Sequence, residues 1–169
     1  SMGGKERQLI SVADELVSFL KEKSSETGQE TRVTMYLFGS DTQAACYDVD
    51  VLRTPSIAKL YEATGRSTAL IDASFKAISE LKATATLYGD HAFLVYVLTD
   101  GQENSSIAEP RELERLILSL GEGWTLAALV PDKMAQRAVV NYGFTLENTV
   151  VWDATTAKGV TEVGSTIRQ

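Results

Sequence analysis

The chain has 169 residues, 44% of them hydrophobic, which lets one domain over residues 1–169 bury a substantial core where two would each be marginal. Its apolar runs fall far short of the roughly 20 residues a membrane-spanning helix needs, and the polar start Ser1–Arg7 does not read as a signal peptide. A net charge of −7 without a basic cluster argues against nucleic acid and anionic lipid as partners.

Leu9, Ala13, Leu16, Val17 and Leu20 recur at helical spacing, which predicts an amphipathic helix over residues 5–25, ended by Gly28 and its polar neighbours. Arg32–Phe38 is rich in strand formers and stops at Gly39-Ser40-Asp41; Ala44–Val51 reads as a second strand, hairpinned to the first. A short helix is expected around Ile57–Tyr61. After the loop Gly65-Arg66-Ser67-Thr68, the spacing of Leu70, Ala73, Ala77, Ile78 and Leu81 predicts a helix to about Leu87. Phe93–Leu98 is continuously apolar, the pattern of a strand covered on both faces, and it is expected to be the most buried strand. Leu113, Leu116, Ile117 and Leu120 mark a helix, Trp124–Val130 a buried strand, Asp132–Tyr142 a helix and Thr149–Trp152 a last short strand. Strands separated by helices imply right-handed crossovers. The fold class expected is therefore α/β: a doubly wound, mostly parallel sheet with helices on both faces.

In open sheets of this kind ligands bind at the carboxyl ends of the strands. Three polar clusters are expected there: Thr99-Asp100-Gly101-Gln102-Glu103-Asn104 after the apolar strand, Gly65 to Ala73 entering a helix, and Ser1-Met2-Gly3-Gly4 ahead of the first helix. With these residues the chain resembles the von Willebrand factor A domain family over nearly its whole length. Thr99-Asp100-Gly101 matches the family's aspartate element, and Ser67 to Ala73 matches its threonine loop, with Thr68 as candidate ligand. Ser1-Met2-Gly3-Gly4-Lys5 reads like the tail of the family's Asp-x-Ser-Gly-Ser-Met segment, with Ser1 as its last serine; a remnant of tag removal would read the same way. Gln102–Ser105 and Gly123-Trp124-Thr125 look like a bacterial branch. Arg66 departs from the pattern, standing where glycine is common.

The resemblance implies a Rossmann-like sheet whose central first strand is missing from this chain. Without it, two neighbouring strands would carry unpaired N–H and C=O groups in the interior, a cost of several kcal/mol. Three resolutions are open: a longer natural protein, a segment of another chain filling the slot, or a different strand order. The resemblance also implies a metal-ion-dependent adhesion-type site, with Ser1, Thr68 and Asp100 as the metal ligands retained. Mg²⁺ takes six oxygen ligands and keeps several waters, so hydroxyls and one carboxylate leave it electrophilic toward an incoming carboxylate. Mn²⁺ or Ca²⁺ could substitute. The implied partner is another protein offering Asp or Glu, with self-association or strand complementation if the first strand is absent. Metal binding is expected to be weak or absent with the upstream aspartate and serine gone.

Enzyme function is not expected. There is no Gly-x-Gly-x-x-Gly, no Gly-x-x-x-x-Gly-Lys-Ser/Thr and no Gly-x-Ser-x-Gly. Two alternatives stand: a scaffold domain whose metal site has decayed, and a phosphate-ester hydrolase using Asp100. Asp100-Gly101 also reads as a simple turn, and Thr68 as a helix cap. Asp72 reads as a structural carboxylate, Glu103 and Asn104 as solvent-facing residues beside the site, and Trp124 and Trp152 as core. A single cysteine, Cys46, closes no internal disulfide, which fits a reducing cytoplasmic setting; it is expected to be a buried strand residue. His91, the lone histidine, has no companion for a zinc site.

Overall fold

The computed structural model describes residues 2–39, 42–59, 68–84, 92–99, 103–104 and 106–151. The protein is mixed α/β. Helix α1 (Met2–Thr27) leads into an antiparallel hairpin of β1 (Arg32–Phe38) and β2 (Thr42–Asp50). Helix α2 (Leu70–Thr84) follows. Strands β3 (Phe93–Leu98), β4 (Trp124–Val130) and β5 (Thr149–Val151) then form a parallel sheet in the order β3-β4-β5, with α3 (Pro110–Leu118) and α4 (Lys133–Asn141) as crossovers. Two described sheets therefore exist rather than one: a two-stranded β1-β2 and a three-stranded β3-β4-β5.

Local chemistry sets the boundaries. Gly28 ends α1 in the left-handed region, φ +68°, with its N–H on the Ser24 carbonyl at 3.0 Å, where a side chain would be strained. Pro110 opens α3 and Glu112 reaches back to the Glu109 N–H at 2.8 Å. Asp132 caps α4 by accepting from the Ala135 N–H at 2.8 Å.

The core gathers Leu70, Ile71 and Ile78 of α2, Val95 and Val97 of β3, Leu113 of α3, Ala128 and Val130 of β4, Ala135 and Val139 of α4, and Phe144. A smaller cluster around Leu129 takes in Val12 of α1 with Tyr96, Leu98 and Val150. Alternate residues of β3 thus divide between α2, α3 and α4 on one side and α1 on the other, as the twofold repeat of a strand requires. Among the described residues no helix is long and apolar enough to cross a membrane.

Two expectations are corrected. Phe93–Leu98 is not the most buried strand: within β3 only Val95 and Val97 are buried, whereas β4 is buried from Ala127 through Val130. The reason is position, because β4 lies between β3 and β5 while β3 has a described strand on one side alone. Cys46 lies in β2 as expected but is half-buried, since β2 has β1 as its one described neighbour and no residue of it is fully buried.

Candidate functional site

The candidate site lies where β3 leaves the sheet and α2 begins. Thr99, 3% exposed, extends the β3–β4 ladder by one bond, its N–H on the Leu129 carbonyl at 3.1 Å. Four to five residues further on, the chain grips the start of α2. The Thr68 N–H donates to Asn104 Oδ1 at 2.7 Å, and the Asn104 N–H donates to the Thr68 carbonyl at 3.0 Å. This two-way bond fixes the Thr68 loop against the segment that follows β3. The end of β1 reaches the same place, because the Ala69 N–H donates to the Gly39 carbonyl at 2.7 Å.

Glu103 and Ser106 complete the grip. Glu103 Oε2 accepts from the Ile71 N–H at 2.8 Å and from the Ser106 hydroxyl at 2.7 Å, while Oε1 accepts from the Ser106 N–H at 2.7 Å. The Ser106 hydroxyl oxygen accepts in turn from the Asp72 N–H at 3.0 Å. The first-turn amides of α2, which have no partner within the helix, are thus capped from a loop more than 30 residues away. Asp72 returns the favour: its two carboxylate oxygens accept from the N–H groups of Ile107 and Ala108 at 2.8 and 2.9 Å. Both acidic side chains also face the positive end of the helix dipole.

This geometry decides what the described residues offer. Thr68, Ala69, Ile71 and Asp72 each donate their N–H to a protein acceptor, so the entrance to α2 is not an open anion cradle. The oxygens of Glu103 and Asp72 are turned onto backbone amides, which makes them poor candidates for a cation. Among the described residues no group of three or more His, Cys, Asp or Glu side chains could hold a metal ion. Among the described residues a hard cation here would have hydroxyl oxygens such as that of Thr68 to draw on, a donor type that suits Mg²⁺. Ile107, held at its N–H by Asp72, is 93% exposed beside this rim. Nearby, burial raises the Tyr142 phenol above its usual range, and the Glu103 charge adds to the rise.

Of the residues expected at the site, Thr68 is at the grip, half-exposed, while Ser1 and Asp100 lie outside the described residues, as do Arg66, Ser67 and Trp152. Thr68 does not act as the helix cap: the acceptors for Ile71 and Asp72 come from Glu103 and Ser106. Asp72 is structural, as its place in a first turn suggested, although its partners are in a distant loop rather than in neighbouring backbone. Glu103 and Asn104, expected to face solvent beside the site and there to read a partner or do nothing, bind the two segments together; Asn104 is exposed and Glu103 half-buried. Sequence offers no signal for that, because their partners at the start of α2 lie 32 to 36 positions away. Trp124, expected in the core, is partly buried and stacks on Phe93 with ring centroids 4.4 Å apart. No family model matches the chain, and no curated protein matches it.

Proposed function

We propose that this chain is a protein-binding domain of the von Willebrand factor A type, which grips a partner at the carboxyl rim of its strands through a Mg²⁺-dependent adhesion-type site. The observation that carries this reading is the paired bond between Thr68 and Asn104, which ties the threonine loop to the segment just after Thr99-Asp100-Gly101. On this reading the sheet is doubly wound, the metal ligands are Ser1, Thr68 and Asp100, and the setting is the bacterial cytoplasm. A bound Mg²⁺, or Mn²⁺ or Ca²⁺ in its place, supplies an electrophilic position for a partner's Asp or Glu carboxylate. Ile107, bare beside the rim on a loop anchored by Asp72, offers that partner an apolar contact.

A scaffold domain without a working metal site is the second reading. It is favoured by Glu103 and Asp72, whose carboxylates are spent on backbone amides. A phosphate-ester hydrolase is the weakest, because the amides at the α2 entrance already have protein acceptors. Titration calorimetry with Mg²⁺ and Mn²⁺ on this chain and on Thr68→Ala and Asp100→Ala variants tests the proposal. Because the site lacks the upstream aspartate and serine, weak binding heat that both substitutions abolish is the expected result. No heat from any of the three proteins leaves the scaffold reading, and turnover of a phosphate ester that depends on Asp100 would replace both.

A further inference from the structure

We draw no further inference here: the strongest candidate, the cleft beside the end of α1 lined by Phe19, Leu20, Lys23, Ser24 and Thr27, has its cation paired with Glu26 and the hydroxyls of Ser24 and Thr27 bonded to backbone carbonyls, so nothing in the structure shows what would occupy it.

Discussion

Replacing Glu103 probes the grip on α2 directly. Its carboxylate accepts three hydrogen bonds, from the Ile71 N–H, the Ser106 N–H and the Ser106 hydroxyl, all between 2.7 and 2.8 Å. Hydrogen bonds to a charged acceptor contribute roughly 1.5–3 kcal/mol each, but bonds that share one side chain do not add. Exposure also reduces them, since Glu103 is half-buried. Glu103→Ala removes all three and leaves two backbone N–H groups without that acceptor, for a loss of about 3–4 kcal/mol. Glu103→Gln keeps one acceptor oxygen but turns an NH₂ group toward a donor, for about 2 kcal/mol. With a urea slope of about 2 kcal/mol per molar, the midpoint should fall by about 2 M and 1 M respectively. The local readout matters more than the global one. In both variants the amides of Ile71 and Ser106 should exchange faster than in the parent, while those of α4 follow only the global change. A Glu103→Ala protein within about 0.5 kcal/mol of the parent, or one that loses stability with Ile71 and Ser106 unaltered, would refute the reasoning.

Other expectations follow from the packing and from the phenols. Gly143 has φ +112°, and a Cβ there would sit 3.2 Å from Ile117 side-chain atoms, so Gly143→Ala should cost about 1–3 kcal/mol in urea unfolding; a neutral result would mean that Ile117 yields freely. Burial raises the phenol of Tyr96, and burial aided by Glu103 raises that of Tyr142, so the folded protein holds these protons more tightly than the unfolded chain. Their contribution is complete below the ordinary tyrosine value of about 10 and is lost as pH rises beyond it. The urea midpoint should therefore drop between about pH 10 and 12, and Tyr96→Phe should flatten the drop more than Tyr142→Phe; an unchanged slope in both would contradict the burial argument.

The periodic signals in the sequence carried most of the secondary structure because they reflect which faces are covered, and that is local. The spacing of Leu9, Ala13 and Val17 located α1, and those three residues are buried. The block of apolar residues Trp124–Val130 located β4, and the glycine at 28 located the end of α1. Burial of β3 was misjudged for a reason of the same kind. An apolar run records what a strand is suited to, whereas its exposure depends on whether a neighbour lies on each side.

Residue types near the candidate site were legible too. Thr68 could be placed in a loop ahead of a helix, and Asp72 in its first turn, from spacing alone. What those residues do was not legible. Whether a carboxylate faces solvent, a cation or a backbone amide depends on which distant segment folds over it, and Glu103 is joined to Ile71 across 32 positions. Thus the sequence by itself determined the alternation of helices and strands and the polar character of the strand ends. The tertiary structure alone decided that Glu103, Asn104, Ser106 and Asp72 lock two loops together, and that α2 packs against both β1 and β3. Hydrogen bonds and strand pairing join groups that are near in space, and chain order constrains that nearness only weakly.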